Sequence, residues 1–454
     1  MQVVVVGVGE VGYNIATKLV REKTDVILID QDRERLTLVG ETLDVQTVHG
    51  SGADPATLIA ANLLQADLLV AVTGSDETNI LACRLAQLLA PSETRRVARI
   101  RASGFYDFFD EKRFCRDFGI NFIINPSFEA VETIMDFIEF PGLTDIIEVA
   151  KGRLHLAGLK LPRGHHLLNK PLVELLPREK GLNILLVAVY RHHELLIPSG
   201  STVLCTGDLV YVAAAAGDVD QVRKFYGLGR GLVKRLFIIG GGEVGYQLAR
   251  RLEVDERNFG VKLFESNQKR CEYLSSRLSR TMIIHGDGTD QDLLLNENVD
   301  DADLFIAVST DDERNLISCL IAKRLGAKQT ITRVNRFSYA PLVQAIGLGA
   351  MVSARVAAVS AVLKYIRKGQ IISVATLVGE EAEIIEFKVP AHSRVVGKKL
   401  MEIKFPTGSL VAVLSRGEEI VVPRGGTKIE AEDILAVLTR PEAIDAVEKL
   451  LGAK

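Results

Sequence analysis

The sequence contains no tryptophan, few aromatic residues and only five cysteines among 454 residues. The cysteines are scattered, form no CxxC pair and have no neighbouring Cys or His at metal-ligand spacing; they are Cys83, Cys115, Cys205, Cys271 and Cys319. We therefore expect reduced thiols, most of them behaving as small buried hydrophobic side chains, and we expect no disulfide framework and no metal site.

Long apolar runs and an excess of one charge are also missing. One of the longest apolar stretches, Leu209–Ala216, has eight residues, whereas a membrane-spanning helix needs about 18 or more. The formal net charge is −3, with acidic and basic residues interspersed, so no basic face for nucleic acid or an anionic membrane is predicted. The chain starts directly with the apolar segment Val3–Val6 and shows no signal-peptide pattern. These absences favour a cytoplasmic protein.

What the sequence does contain is an internal repeat. The segment Val4–Gly12 returns 233 residues later as Phe237–Gly245. Further blocks follow in the same order and at nearly the same offset: Val26–Asp30 with Val261–Glu265, Val48–Gly52 with Ile284–Gly288, Ala66–Thr73 with Ala302–Ser309, and Asp76–Asn79 with Asp312–Asn315. Chance is a poor explanation for such collinear blocks. The sequence therefore predicts two copies of one unit, joined by a linker at Gly227–Gly231.

The first part of each copy alternates short apolar runs with helical patterns, which is typical of a parallel sheet with βαβ crossovers. In the first copy the predicted strands are Val3–Val6, Val26–Ile29, Val45–Val48, Leu68–Val72, Arg96–Ile100 and Asn121–Ile124. The predicted helices between them are Glu10–Arg21, Asp32–Val39, Pro55–Ala61 and Glu77–Leu89. Asp54 and Asp290 are expected to cap a helix in their respective copies. Six strands in this order predict a doubly wound, Rossmann-like α/β sheet.

Four domains follow from this pattern. We predict Rossmann-like nucleotide-binding domains over 1–142 and 232–369, followed by small α+β domains over 143–226 and 370–454, respectively. Each small domain shows several short alternating strands and one short helix, around Pro171–Leu176 in the first copy and Lys398–Ile403 in the second.

A further helix is predicted over Pro126–Phe140, at the end of the first Rossmann-like domain. One of its faces is apolar, and the second copy repeats the stripe. The stripe residues are Phe128, Val131, Met135 and Ile138 in the first copy and Val356, Val359, Leu363 and Ile366 in the second. The pattern leaves open whether these faces pack on their own domain or against another domain or subunit.

A nucleotide site is predicted at the glycine motif Gly7-x-Gly9-x-x-Gly12, which follows a strand and opens a helix. The motif's glycines allow a tight turn, close approach of a pyrophosphate and close packing of helix on strand. Asp30 lies 23 residues after Gly7, at the end of the second strand. An acid there accepts hydrogen bonds from ribose hydroxyls and repels a 2′-phosphate, which favours NAD or an adenine nucleotide over NADP.

Both copies supply candidate residues at the carboxyl ends of their strands, where ligands of such sheets bind. In the first copy these are Gly7, Val8, Gly9, Glu10, Val11, Gly12, Asp30, Gly50, Ser51, Thr73, Gly74, Ser75 and Arg99. In the second copy they are Gly240, Gly241, Gly242, Glu243, Val244, Gly245, Glu265, Gly286, Asp287, Ser309, Thr310 and Arg333. The two arginines are expected to meet a phosphate or a neighbouring subunit. We interpret His49 and His285 as structural rather than catalytic.

The doubled order of a nucleotide-type domain and a small α+β domain resembles the TrkA family of Trk potassium uptake systems, and more widely RCK or KTN domains. The resemblance rests on the glycine motif, Asp30, His49-Gly50, Val70–Asn79 and Ala98-Arg99, together with their partners in the second copy. It implies a peripheral regulatory subunit beneath a TrkH-type membrane channel. It also implies a tetramer with eight nucleotide domains in a ring, whose shape changes as NAD, NADH, ATP or ADP exchange.

One position departs from the pattern of related ring-forming domains. Relatives with one copy per chain often place an arginine beside the second glycine, where it meets the γ-phosphate of ATP. Glu10 and Glu243 stand at that position here. Because their charge would repel a terminal phosphate, the sequence favours NAD(H) as the ligand and leaves ATP or ADP as a possibility.

The alternative to a regulator is an NAD-dependent oxidoreductase. Hydride transfer requires a proton donor or acceptor held against the nicotinamide, and the sequence contains no Tyr-x-x-x-Lys. His165-His166 and His192-His193 occur only in the first copy, and we expect these side chains to be exposed. A duplicated binding unit without a catalytic constellation favours a non-enzymatic sensor, while a binding module with another partner remains open.

Overall fold

The computed structural model of the chain describes residues 1–21, 24–101, 110–149, 154–178, 184–191, 194–215, 218–228, 233–336, 339–366, 371–376, 383–417, 419–421 and 423–452. The predicted linker and the boundaries at 232 and 369–370 fall wholly or partly outside these residues, as does His192-His193.

Each copy opens with a six-stranded parallel sheet. The first sheet contains β1 (Gln2–Val6), β2 (Asp25–Asp30), β3 (Gln46–His49), β4 (Leu68–Ala71), β5 (Arg95–Arg99) and β6 (Phe122–Ile124) in the order β3-β2-β1-β4-β5-β6. The corresponding strands of the second copy are β12 (Arg235–Ile239), β13 (Gly260–Glu265), β14 (Met282–His285), β15 (Leu304–Ala307), β16 (Thr330–Arg333) and β17 (Ala350–Val352), in the matching order. The predicted doubly wound fold is therefore confirmed in both copies.

Helices connect these strands on both faces of each sheet. In the first copy they are α1 (Glu10–Arg21), α2 (Arg33–Thr42), α3 (Pro55–Ala60), α4 (Asp76–Leu89), α5 (Glu111–Phe118) and α6 (Pro126–Glu139). In the second copy they are α9 (Glu243–Glu253), α10 (Gln268–Arg277), α11 (Gln291–Asn296), α12 (Asp312–Leu325), α13 (Ala340–Ala345) and α14 (Ala354–Ile366). The side chains of Asp54 and Asp290 accept backbone N–H bonds at the starts of α3 and α11, as predicted. Helix α5 was not predicted.

The small parts are five-stranded antiparallel sheets of matching topology. The first contains β7 (Asp145–Val149), β8 (Leu154–Lys160), β9 (Ile184–Arg191), β10 (Glu194–Leu196) and β11 (Leu209–Ala215). The second contains β18 (Ile371–Thr376), β19 (Glu383–Lys388), β20 (Ser409–Arg416), β21 (Glu419–Val421) and β22 (Ile434–Thr439). Apolar residues from both sheets form one shared cluster, including Leu156 and Ile384. The two small sheets thus pack against each other.

Each small part was predicted to contain one short helix, and this prediction was incomplete. Helix α7 (Leu172–Arg178) occupies the expected place in the first copy, but in the second copy only a 3-10 turn, Leu400–Glu402, is found there. A further helix ends each small part: α8 (Val219–Tyr226) in the first and α15 (Ile444–Leu451) in the second. Val222 of α8 and Val447 of α15 are each buried in the core of the small sheet of their own copy, so each helix packs on that sheet.

The two Rossmann units exchange their last helices. Helix α6 of the first copy packs against α9 of the second, and Ile134 and Val131 belong to a core that also contains Leu236 and Val244. Helix α14 of the second copy packs reciprocally on α1. The apolar stripe of each of these helices therefore packs against the other Rossmann domain of the same chain. Of the alternatives left open by the sequence, packing on the helix's own domain is thus not what the structure shows.

Two members of the predicted stripes are not buried. Phe128 is 54% exposed and Val356 is 47% exposed, so their assignment to the packed face was wrong. Each lies in the first turn of its helix. The side chains of Leu363 and Ile366 lie outside the described residues.

Candidate nucleotide site

The glycine motif of the first copy has the geometry of a phosphate-binding turn. Gly7 has φ +100°, and a Cβ there would lie 2.8 Å from the backbone nitrogen of Thr73. A Cβ at Gly12 would lie 1.9 Å from the carbonyl oxygen of Gly7, so this glycine allows α1 to pack closely on the turn. A Cβ at Gly9, in contrast, would meet nothing within 4 Å. The space over Gly9 is therefore open to a ligand.

The second copy repeats this turn. Gly240 has φ +102°, and a Cβ at Gly245 would lie 1.9 Å from the carbonyl oxygen of Gly240. Gly242, at the position of Gly9, again has open space around it. The backbone of both copies is thus shaped for the close approach of a phosphate.

The acid at the end of the second strand holds the glycine loop in place. Asp30 Oδ2 accepts a hydrogen bond of 2.6 Å from the backbone N–H of Val8, and Glu265 Oε2 accepts one of 2.8 Å from Gly241. The other carboxylate oxygens accept from the N–H groups of Asp32 and Asn267. A carboxylate oxygen has more than one acceptor site, so these bonds leave capacity for ribose hydroxyls.

A buried asparagine joins the loops that follow the fourth and fifth strands. Asn79, which has no exposed surface, accepts from the N–H and Oγ1 of Thr73 and donates to the carbonyl oxygens of Thr73 and Arg99. Asn315 makes the same set of bonds with Ser309 and Arg333. The repeated Asp-Glu-x-Asn block therefore positions two loops at the edge of the sheet rather than facing the ligand.

A cavity of about 630 Å³ lies over the carboxyl edge of the first sheet. This volume is within the usual range of small-molecule sites. It brings together ten of the residues predicted for the first copy: Gly7, Gly9, Glu10, Val11, Asp30, Gly50, Thr73, Gly74, Ser75 and Arg99. Val8, Gly12 and Ser51 are not in its lining. Val8 is buried, Gly12 lies under Gly7, and the Ser51 hydroxyl accepts a bond from the N–H of Ala53.

The same cavity is also lined by the second copy, which the sequence did not predict. Arg333 lies in the first-copy cavity together with Asn335, Ala354 and Arg355. The helix exchange explains this arrangement, because α14 starts beside α1 and so carries its first residues to the first glycine loop. Arg355 forms an ion pair with Glu10. The cavity thus lies between the two Rossmann units.

The two strand-end arginines are desolvated. Burial lowers the pKa of Arg99 and of Arg333. Arg99 Nη2 donates to the carbonyl oxygen of Thr73 at 2.6 Å, and Arg333 Nη1 lies 3.4 Å from those of Val308 and Ser309. The Nε atoms of both arginines are buried and have no hydrogen-bond partner among the described residues. Buried donors of this kind are costly unless an acceptor satisfies them, which suits an anionic ligand.

The remaining residues of the second copy have contacts of their own. Asp287 accepts hydrogen bonds from the backbone and hydroxyl of Thr289, which lower its pKa despite partial burial, and lies 3.5 Å from Arg314. Gly286 is packed so closely that a Cβ would lie 2.3 Å from a methyl of Leu293, and Thr310 is exposed. Val244 is buried beneath the loop.

Sequence reasoning missed several polar residues that line the first cavity, among them Arg35, Arg101, Asn335 and Arg355. A signal for Arg35 existed, because Arg270 stands at the matching position five residues after Glu265 and donates to the carbonyl oxygen of Gly241 at 2.7 Å. No such signal existed for Arg355, since Ser127 occupies its place in the first copy.

The histidines have structural contacts. His49 and His285 bond the backbone carbonyl oxygens of Gln31 and Ser266, which ties the ends of two strands together. His165 and His166 bond the carbonyl oxygens that end α8, and His165 is half-buried rather than exposed as expected. Burial lowers the pKa of His165.

In the part of the chain that the structure describes, three further features are relevant to function: groups for proton transfer in the first cavity, a metal site and a membrane-spanning helix. No Tyr, His, Lys or Cys of this part lines the first cavity. Nor do its residues contain a cluster of His, Cys, Asp and Glu that could hold a metal ion. None of the helices within the described ranges is both long and apolar enough to cross a membrane.

Comparison with known proteins assigns the class. Residues 3–126 and 236–354 match the TrkA-N domain, and residues 156–227 and 384–452 match the TrkA-C domain. The chain belongs to the TrkA family. It is 34% identical to Trk system potassium uptake protein TrkA homolog 1 of Methanosarcina mazei, over 99% of both chains. It is also 34% identical to Trk system potassium uptake protein TrkA of Halomonas elongata, over 99% of this chain and 98% of that one.

Solved structures show the same fold. The RCK domain of GsuK superposes with a TM-score of 0.60 at 18% identity, covering 100% of this chain and 95% of that one. The GsuK channel bound to NAD gives a TM-score of 0.60 at 17% identity, covering 100% of this chain and 79% of that one. The predicted tandem RCK-type architecture is therefore confirmed.

Proposed function

We propose that this protein is the cytosolic, nucleotide-sensing regulatory subunit of a Trk-type potassium uptake system and acts on a TrkH-like membrane channel. The observation that carries the proposal is the first cavity, which is lined by Gly7 and Gly9 of the glycine loop and by residues of the other Rossmann unit. Membership of a family whose curated members are named as potassium uptake proteins supplies the transport context.

The residues present fit a dinucleotide or adenine nucleotide. Gly9 leaves open space over the turn, the start of α1 offers unpaired N–H groups to phosphate, and Asp30 lies where a ribose would be held. The buried, unpartnered Nε of Arg99 adds a donor for an anion. A GsuK channel of the same fold has been solved with NAD, which supports NAD(H) as a ligand here, with ATP or ADP as further candidates.

The regulatory mechanism follows from the position of the cavity. A ligand between two units makes contacts that depend on how these units are placed relative to each other. Only a ligand with different affinities for two placements can shift the equilibrium between them. We therefore infer that nucleotide exchange at Gly7–Gly12 and Asp30 alters the arrangement of the Rossmann units and passes this change to the channel.

Assembly into a larger ring is supported by exposed apolar side chains on the outer helices. Ile59 and Leu81 of the first copy are 47% and 44% exposed. At matching positions of the second copy, Leu295 and Ile317 are 50% and 49% exposed. Both copies expose an apolar side chain at the same two positions, and this repetition suits contacts between copies of this chain. We propose a homotetramer, peripheral to the inner face of the membrane.

Reconstitution of the protein with a TrkH-type channel in liposomes tests this function. We expect potassium flux to change when NAD⁺, NADH, ATP or ADP is added, and we expect Asp30→Ala to weaken the response. The exposed Arg424→Ala, in the small domain, is the matched control and should leave the response unchanged. Flux that is the same with and without each of the four nucleotides would contradict the proposal.

A further inference from the structure

The ion pair between Arg355 and Glu10 places a cation of the second copy at the phosphate-binding turn of the first. Glu10 is the first residue of α1, and Arg355 is the second residue of α14. The Arg355 side chain is 20% exposed, whereas that of Glu10 is 65% exposed. Arg355 is thus held largely out of water, while its carboxylate partner is free to turn towards solvent. An anion entering the cavity can compete for the guanidinium.

The surrounding charges favour such an anion. Four arginines line this end of the cavity: Arg99, Arg101, Arg333 and Arg355. Arg101 lies 3.6 Å from Asp76, and Arg355 pairs with Glu10. Among the described residues, Arg99 and Arg333 donate hydrogen bonds only to carbonyl oxygens, and burial lowers their pKa values, an effect that the charges of Asp76 and Asp312 partly offset. Four guanidinium groups thus stand against the three carboxylates of Asp76, Asp312 and Glu10. Positive charge therefore exceeds negative charge here, and guanidinium groups bind phosphate oxygens in charge-assisted, often bidentate geometry.

The two copies differ at this position. Ser127 stands in α6 where Arg355 stands in α14, so the second glycine loop has no corresponding arginine from the exchanged helix. Glu243, the counterpart of Glu10, accepts a bond of 2.9 Å from the amide of Gln247 in its own helix. No basic side chain of the described chain forms an ion pair with it. In the first site, Arg355 thus offsets the repulsion between the Glu10 carboxylate and a terminal phosphate. In the second site, the corresponding repulsion by Glu243 remains.

We propose that Arg355 is a specificity-determining residue that acts across the domain boundary and makes the two nucleotide sites chemically different. In the first site, a terminal phosphate of ADP or ATP replaces the Glu10 carboxylate on Arg355. The second site, where Glu243 is not offset, takes NAD(H), whose nicotinamide end carries no terminal phosphate. This inference rests on the proposed nucleotide-sensing function, and it adds a sensor for ligand charge at the start of the helix that joins the two units.

Calorimetric titration of the full-length protein tests the role of Arg355. In a Glu265→Ala background, which leaves the first site, we expect Arg355→Ala to weaken ADP and ATP binding about tenfold to hundredfold, as for loss of a charge-assisted hydrogen bond. NADH affinity should change by about fivefold or less, as for a partly exposed ion pair. Arg424→Ala, which removes the same charge from an exposed site, should alter none of these affinities.

Two further variants keep the test decisive if Arg355→Ala does not fold. Glu10→Gln removes the competitor and should strengthen ADP and ATP binding to the first site, but only while Arg355 is present. Ser127→Arg, in an Asp30→Ala background that leaves the second site, should raise its affinity for ADP and ATP. Thermal melting of each variant verifies that it is folded.

The outcomes separate this inference from the function on which it rests. If the wild-type protein binds ADP or ATP but Arg355→Ala weakens ADP, ATP and NADH equally, or weakens none, the role of Arg355 is refuted and the sensor remains. The same holds if Glu10→Gln and Ser127→Arg leave ADP and ATP affinities unchanged. If the wild-type protein binds no nucleotide, both proposals fail.

Discussion

Ile134 belongs to the first copy, but truncation of its side chain should destabilise the Rossmann unit of the second copy. Ile134 lies in α6 of the first copy, has no exposed surface and is part of the core that contains Leu236 and Val244 of the second copy. Removing a buried isoleucine side chain beyond Cβ costs about 2–5 kcal/mol, because transfer free energy is lost and a cavity remains. We therefore expect Ile134→Ala to lower the free energy of opening of the second Rossmann unit by this amount.

Native-state hydrogen exchange, read by mass spectrometry, resolves the effect along the chain. Protection should fall in peptides covering β12 and α9, and much less in those covering β1 and α1. Phe128→Ala on the same helix is the control, because Phe128 is 54% exposed and a surface substitution changes stability by about 0.5 kcal/mol or less. Val362→Ala in α14 should show the reciprocal pattern, because Val362 is buried in the core of the first sheet.

The result that would refute this reasoning is equally specific. If Ile134→Ala lowered protection in α1 as much as in α9, or in neither, α6 would not be part of the second unit's core. The helix exchange would then not explain why residues of the second copy line the first cavity.

Three further predictions concern stability and reactivity. Asp208→Asn should destabilise the first small domain by about 3–5 kcal/mol in thermal or urea unfolding, because Asp208 is 1% exposed and pairs with Arg191 at 2.7 and 2.8 Å; an unchanged midpoint would contradict this. The Arg257 contact lowers the pKa of Asp255 from 3.8 to about 2, so its contribution is present above pH 3.8 and is lost as pH falls towards 2. Asp255→Asn should therefore destabilise the protein more at pH 5 than at pH 2, and an equal effect at both would refute it. Burial raises the pKa of Cys83 and Cys319 to about 12, so neither should react with a thiol reagent at pH 8 in the native protein; rapid labelling of either would show that these cores open.

Local signals predicted the Rossmann units well. Helix α1 begins and ends where predicted, because the glycine turn fixes its start and a regular apolar stripe continues to Arg21. The β-branched run Val3–Val6 is fully buried, as expected of a central parallel strand. Periodicity and capping are properties of short segments, so one sequence was enough to identify these elements.

What the sequence could not give were the contacts between distant segments. The stripe on α6 indicated a buried face, but periodicity cannot show which surface covers it. Arg355 was missed for the same reason, since its partner Glu10 is 345 residues away and the first copy has Ser127 at that position. The argument that Glu10 repels a terminal phosphate was therefore incomplete for the first site. Helix α5 was missed because Phe114 is its only buried residue, which leaves a weak pattern.

Calorimetric titration of the purified protein with NAD⁺, NADH, ATP and ADP tests the central claim most directly. We predict nucleotide binding at two sites per chain, with one lost in Asp30→Ala and the other in Glu265→Ala, since each acid holds its own glycine loop and lies at the ribose position. If the wild-type protein binds none of the four nucleotides, the Rossmann units serve only as a scaffold, and the nucleotide-sensing account is wrong.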